Sequence, residues 1–122
     1  MDETEYQQGR PSEVEFADFA KLEVRVGRVL AAEPLEGARK PAFRLRIDFG
    51  PSIGIKQSSA QVTVHYRAED LVGQQVLAVL NFLPRRVAGF RSEVLTLGVP
   101  DVNGNVVLVA PTLEVPLGGR LY

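Results

Sequence analysis

The sequence predicts an all-β domain, a small closed barrel carrying two short helices. Three observations point there. FRLRIDFG, residues 43–50, alternates apolar and charged side chains with the period of a half-buried strand. LEVRVGRVLAA, residues 22–32, alternates in the same way around one glycine. Three further strand-like runs follow, separated by segments with turn chemistry, and no repeat or second domain is present.

Residues 1–13 read as an acidic, extended or disordered arm, and residues 14–122 as the folded domain. In VEFADFAK, Phe16 and Phe19 stand three apart and Asp18 can cap a turn of helix. The first strand then points Leu22, Val24 and Val26 one way and Glu23 and Arg25 the other, with Gly27 marking an expected bulge. EPLEGARKPA is a loop. The second strand turns Phe43, Leu45, Ile47 and Phe49 inward and Arg44, Arg46 and Asp48 outward. IGIKQSSAQVTV is a third strand of mixed polarity, and YRAEDLVGQ a helical turn stopped by Gly73. QVLAVLNFL is a fourth strand, apolar on both faces and therefore expected to be buried on both. A loop with Arg85, Arg86 and Arg91 leads to a fifth strand, SEVLTLGV. Beyond Val99, DVNGN predicts a hairpin turn at Asn103-Gly104. The Val106–Val109 run after it is too apolar for water, so it packs on the barrel flank or against a second copy.

Five strands with a helix between the third and fourth suit an OB-fold, although periodicity alone does not separate it from other small β-barrels. In an OB-fold the ligand lies on strands two and three, between the loops joining strands one to two and four to five. Those loops carry Arg39 and Lys40, and Arg85, Arg86 and Arg91, while strand two offers Arg44 and Arg46 outward and strand three Lys56, Gln57, Ser58 and Ser59. The arginines therefore read as one wall of a ligand groove, because a guanidinium presents a planar fork to phosphate or carboxylate. Gly89 and Pro84 read as turn formers, and Phe82 and Phe90 as core rather than as stacking platforms.

Composition removes other classes. No apolar run reaches the ~18 residues of a membrane span, and the acidic N-terminal stretch is no signal peptide. The chain has no cysteine, so disulfides and thiolate metal sites are excluded and a cytoplasmic location is the default. His65 is the only histidine, which leaves a zinc site almost nothing to build from. No nucleophile elbow or phosphate-binding loop is present, so the expectation is a protein without catalytic activity, metal or cofactor. Of 15 acids, six lie in the first 18 residues against Arg10 alone; the nine remaining acids face thirteen bases, about +4.

DFAKLEVRVGRV, IDFGPSIGIKQSSAQVT, VLAVLNFLPRRVAGFRSEVLTLG and VVLVAP resemble the CsaA family, export-related chaperones on the tRNA-binding-domain version of the OB-fold. The likeness runs from about Phe16 to the C-terminus, some 107 of 122 residues. It implies a homodimer formed through the C-terminal extension, binding unfolded or precursor polypeptides at an apolar pocket that periodicity does not locate. The relatives that bind tRNA supply the alternative, a tRNA-binding OB-fold protein. Where those relatives carry Ser-Gln-Gly-Met after Asn-x-x-Pro-Arg, this chain has Ser92-Glu93-Val94-Leu95. A carboxylate replaces an amide and repels phosphate, and a stiff valine replaces a glycine. The residues expected to bind polypeptide or RNA are thus Arg39, Lys40, Lys56, Ser58, Arg85, Arg86, Arg91 and Ser92.

Overall fold

The computed structural model of the chain describes residue 9 and residues 11–122. Of the acidic arm, residues 1–8 and 10 lie outside the described residues. Helix α1 spans Phe16–Ala20; Asp18, in its first turn, accepts the Glu15 N–H at 3.2 Å. Strands β1 (Val24–Pro34), β2 (Phe43–Asp48), β3 (Ile55–Ala60), β4 (Gln75–Val79) and β7 (Leu95–Thr96) form one antiparallel sheet in the order β3-β2-β1-β4-β7, curled into a nearly closed barrel. Helix α2 (Ala68–Leu71) follows β3, as expected, and plugs the barrel with the fully buried Leu71. Two hairpins complete the chain: β5 (Arg85–Val87) with β6 (Phe90–Ser92), and β8 (Gly98–Pro100) with β9 (Val106–Leu108).

The long first strand serves two partners. Residues 24–28 pair with β4, and residues 28–34 pair with β2. The bend lies at Leu30, where the register shifts between Val29 and Ala31, and not at Gly27 as expected. Gly27 is buried for another reason. A Cβ there would stand 2.4 Å from Ile47 Cγ2 and 2.7 Å from the Phe49 ring, so the missing side chain lets the barrel wall close on its own core.

The inward set of β2, Phe43, Leu45 and Ile47, meets Val29, Phe49, Val62, Leu71, Val76, Ala78 and Val94 in the main core. The outward set, Arg44 and Arg46, is exposed. Strand β4 is buried on both faces: Val76 and Ala78 enter the barrel, whereas Leu77 and Val79 join Val24 and Val26 in a second cluster outside it. Val109 and Val115 of the C-terminal segment cover that cluster. The covering is hydrogen-bonded throughout. Leu77 N–H donates to Val109 C=O (3.1 Å), Val26 N–H to Gly119 C=O (2.9 Å), and Leu121 N–H to Val24 C=O (2.9 Å). The Gln75 amide donates to Val115 C=O (2.6 Å) and accepts Val115 N–H (3.1 Å). Of the two sequence-stated destinations for this segment, it occupies the flank of its own barrel.

The fifth strand is not continuous. Ser92 pairs with β5, Glu93 with β3, Leu95–Thr96 with β4, and Gly98–Pro100 with β9. The chain changes partner every two or three residues, so SEVLTLGV does several jobs in place of one. Gly98 permits the last exchange, since a Cβ there would stand 2.4 Å from Val106 Cγ1. The Asn103-Gly104 turn is present, with Gly104 at φ 83° and the Asp101 carboxylate accepting the Asn103 and Asn105 N–H groups at 2.8 and 2.9 Å.

Candidate functional site

The barrel closes on one side without a regular ladder, and the site is built on that seam. Glu93 N–H donates to Gln57 C=O (2.9 Å), but the reciprocal bond goes from Gln57 N–H to the Glu93 carboxylate (3.0 Å). Ser59 N–H donates to the Ser92 hydroxyl (3.0 Å). Ser58 is completely buried; its hydroxyl accepts from Thr96 Oγ1 (2.8 Å) and has Ser59 C=O (3.0 Å) and Val94 C=O (3.2 Å) as acceptors for its one proton. Side chains thus replace main-chain partners across the gap between β3 and β6–β7. Each buried polar atom there is satisfied, which such a seam requires.

Above the seam lies a cavity of about 1030 Å³. Its walls come from both loops that the fold class nominated. Arg39 and Lys40 of the β1–β2 loop and Arg85 and Arg86 of the β5–β6 hairpin are all in its lining. The loops meet at their tips, where a Cβ on Gly37 would stand 3.7 Å from Ala88 Cβ. Ala88 and Gly89 form the hairpin turn, both at positive φ (51° and 79°), which alanine adopts only under strain. Phe82, Leu83, Val87, Leu95, Val106 and Leu108 supply an apolar lining. Leu83 is 90% exposed and Phe82 47% exposed, so Phe82 is a surface residue and not the core residue expected. The Asn81 side chain holds this strap in place, accepting Glu23 N–H (2.9 Å) and donating to Lys21 C=O (2.7 Å).

The structure separates the sequence-expected residues. Arg39, Lys40, Arg85, Arg86 and Ser92 line the cavity together. Ser58 does not; burial at the seam removes its hydroxyl from any surface a ligand reaches. Lys56 and Arg91 also lie outside the lining. The three hairpin arginines therefore do not form one wall. Arg85 stands opposite the buried Ser92, whereas Arg86 and Arg91 stand opposite each other on the alternate face. Among the described residues no ion pair within 4 Å engages Arg39, Lys40, Lys56, Arg46, Arg85, Arg86 or Arg91. Arg44 differs: Glu33 meets it at 2.7 Å, and that hydrogen bond holds its guanidinium still more firmly charged.

Sequence reasoning missed three parts of the site. Glu93 is a seam residue as well as a carboxylate on the cavity wall, and Val94 is a core residue, which accounts for a valine there. The Phe82-Leu83 pair had a signal, two consecutive apolar residues between the end of a strand and a proline, where alternation leaves no buried position for both. Outside the cavity lining, His65 meets the Asp101 carboxylate at 2.7 Å, and Asp70 pairs with Arg67. Asp101 titrates below the ordinary carboxylate range, chiefly because Asn105 N–H and His65 donate to it.

A model of the family described as "Putative tRNA binding domain" matches residues 24–120. Among solved structures, the chaperone CsaA of Bacillus anthracis str. Ames is 54% identical, with 91% of this chain and 100% of that chain covered and a TM-score of 0.84. The CsaA chaperone protein of Picrophilus torridus is 39% identical over 90% of this chain and 100% of that one, with a TM-score of 0.83. A methionine–tRNA ligase of Porphyromonas gingivalis is 37% identical over 109 residues, 89% of this chain. The chain spans only 16% of that ligase's length. No helix among the described residues is long and apolar enough to cross a membrane.

Proposed function

The chain belongs to the tRNA-binding-domain family, and from that premise we propose that it is a non-catalytic binding protein of the CsaA type, holding unfolded or precursor polypeptides before export from the cytoplasm. One observation carries the reading: an open cavity with an apolar lining and a basic rim of Arg39, Lys40, Arg85 and Arg86. An extended polypeptide burying ~300–400 Å² of apolar surface there gains roughly 8–10 kcal/mol. Association costs of ~4–15 kcal/mol take back much of it. Weak, sequence-tolerant binding follows, which is what a holding chaperone needs. The protein acts as a homodimer in this reading. Val99, Val102 and Val107 on the β8–β9 hairpin remain exposed after the C-terminal segment has packed, and a second copy covers them. Two cavities per dimer then add avidity.

The test is light scattering of a chemically unfolded client diluted into buffer. The protein is expected to slow aggregation, and Phe82→Asp with Leu83→Asp to lose that effect while keeping the native circular dichroism. An unchanged aggregation rate with the wild-type protein overturns the reading.

The family match favours a second reading, binding of tRNA. Five or six phosphate contacts give a log–log salt slope of about −3.5 to −4 on single-stranded segments. Retention of tRNA that does not change between two salt concentrations removes it.

A further inference from the structure

We propose that the cavity has a tethered occupant, the acidic N-terminal arm of the same chain: Asp2, Glu3, Glu5 and Tyr6 dock on its basic rim and apolar lining and compete there with a client. This adds a regulation to the polypeptide site proposed above. Docking itself stands on charge, chemistry and reach, whereas the competition rests on the polypeptide reading.

Ion pairs are unevenly spread over the described residues. Arg25, Arg28, Arg44, Arg67 and Arg120 each have a carboxylate in range. Arg39, Lys40, Arg85 and Arg86 are exposed and have none among the described residues, although all four line one cavity. Glu93 is the one acid in that lining, and it already accepts Gln57 N–H. Such a rim concentrates a segment of opposite charge at the cavity mouth. The first residues of the chain, MDETEY, carry Asp2, Glu3 and Glu5, no base, and the aromatic ring of Tyr6. Carboxylates match the guanidinium forks, and Tyr6 matches the apolar lining at Phe82 and Leu83. Arg46, Lys56 and Arg91 also have no acid in range, but none lines the cavity, so they offer charge without that apolar partner. The arm precedes residues 24–120, which the family model matches, so this occupant belongs to the chain and not to the shared domain.

Reach is set by where the arm joins the fold. Helix α1 is capped at Lys21, and the Asn81 side chain ties that end down, donating to Lys21 C=O (2.7 Å) and accepting Glu23 N–H (2.9 Å). Phe82 and Leu83 come next in the chain and line the cavity, and Pro84 leads to Arg85. From Asn81 to Arg85 the backbone spans ~14 Å at most. The length of α1 adds ~7.5 Å, so with the Lys21–Asn81 contact Phe16 lies within about 25 Å of the rim by this path. The stretch from Glu5 to Phe16, extended, spans about 36 Å. Residues 11–15 are exposed and outside any helix, which leaves that length usable. Glu5, Glu3 and Asp2 therefore reach the rim with slack. A short tether of this kind supplies a millimolar effective concentration. An arm that binds with a dissociation constant of about 0.1–0.5 mM then weakens a competing client about threefold to tenfold at ~1 mM effective concentration.

The experiment keeps the full chain and compares the wild-type protein with a triple variant, Asp2→Asn, Glu3→Gln and Glu5→Gln. A labelled, uncharged apolar peptide serves as client, and NMR amide shifts without any client give an independent readout. The variant is expected to bind the peptide about threefold to tenfold more tightly at low salt. That gap should close at about 1 M NaCl, where charges are screened beyond ~3 Å. Without client, shift differences between the two proteins should centre on Arg39, Lys40, Arg85 and Arg86, and a free MDETEY peptide should move the variant's shifts back toward the wild type. Unchanged rim shifts with equal peptide affinities overturn the docking. Differences centred on Arg46, Lys56 and Arg91 overturn its place. Rim shifts that appear only as the protein is concentrated overturn the same-chain occupant and assign the arm to a second copy. Rim shifts with equal peptide affinities support docking and overturn the competition. If the peptide binds neither protein, the polypeptide reading fails, and the rim shifts alone decide the docking.

Discussion

The two flanks of this barrel are closed by opposite means. Along β1–β4, main-chain hydrogen bonds and apolar side chains do most of the closing, and the C-terminal segment, tied by the Gln75 amide at Val115, adds a second apolar layer over Val24, Val26, Leu77 and Val79. Along the β3–β6 seam, Ser58, Ser92, Glu93, Gln57 and Thr96 stitch the gap with side chains, and the surface above remains open, apolar in places and basic at the rim. A wall saturated by backbone pairing has nothing left to offer a ligand. A wall held by side chains leaves room for two loops to stand apart, and the cavity is that room.

If the contrast is right, damage to the first flank should be the more costly and should leave ligand affinity alone. Leu77→Ala removes a side chain packed beneath the C-terminal segment, so a loss of about 2–5 kcal/mol is expected in urea unfolding. Peptide affinity, measured at a concentration where the variant is still folded, should not move. A cost below about 1 kcal/mol would mean that the C-terminal layer is an ornament and not part of the fold.

The seam should give a smaller, polar signature. Ser58→Ala deletes the acceptor of the part-buried Thr96 hydroxyl and the donor shared by Ser59 C=O and Val94 C=O. About 1–3 kcal/mol is the expected loss. Adding Thr96→Val removes the orphaned partner, so the double variant should be less destabilised than the sum of the two singles. Strict additivity would mean that the two hydroxyls are independent and the stitching is not a network.

How much of this was legible follows the same division. The β1–β4 flank could be read, because alternation in 22–26 and the unbroken apolar run of β4 are direct consequences of one-face and two-face burial. The bend was misplaced: Gly27 looked like a bulge, yet a missing Cβ against Ile47 and Phe49 answers a packing need that no one-dimensional pattern displays. The seam was largely hidden. Ser58 and Glu93 are polar residues on a strand, and whether such a residue faces solvent, ligand or a broken ladder depends on what the curl brings opposite, thirty-odd residues away. The arginines were located on the correct loops, but their division between two faces needed the hairpin register, which hung on a turn with alanine where glycine or asparagine is usual.

That turn supplies a third, smaller test on the open side. Ala88 sits at φ 51°, a conformation costing a non-glycine residue about 1–2 kcal/mol. Ala88→Gly recovers this less the extra unfolded-state entropy, for a net gain of about 0.5–1 kcal/mol in urea unfolding. A destabilised variant would show that contact with the β1–β2 loop at Gly37, and not backbone strain, governs the tip.

The smallest effect concerns pH and the β8–β9 hairpin, whose Val106 and Leu108 bring the closed flank's chain into the cavity wall. Asp101 is held below its ordinary range by the Asn105 N–H, by His65 and by the Asn103 N–H. A depressed carboxyl contributes stability above its unfolded value, about 3.9, and loses it as pH falls through the lower folded value. Wild-type unfolding midpoints should therefore drop between pH 5 and pH 3 more than those of Asp101→Asn, which keeps an amide oxygen for the two backbone donors but has no proton to gain. Because Val106 and Leu108 share that hairpin, peptide affinity should weaken over the same interval in the wild-type protein and less in the variant. Parallel pH profiles for the two proteins would show that the hairpin is anchored by Leu108 N–H to the Tyr66 hydroxyl and by its packing, with the His65–Asp101 contact adding nothing.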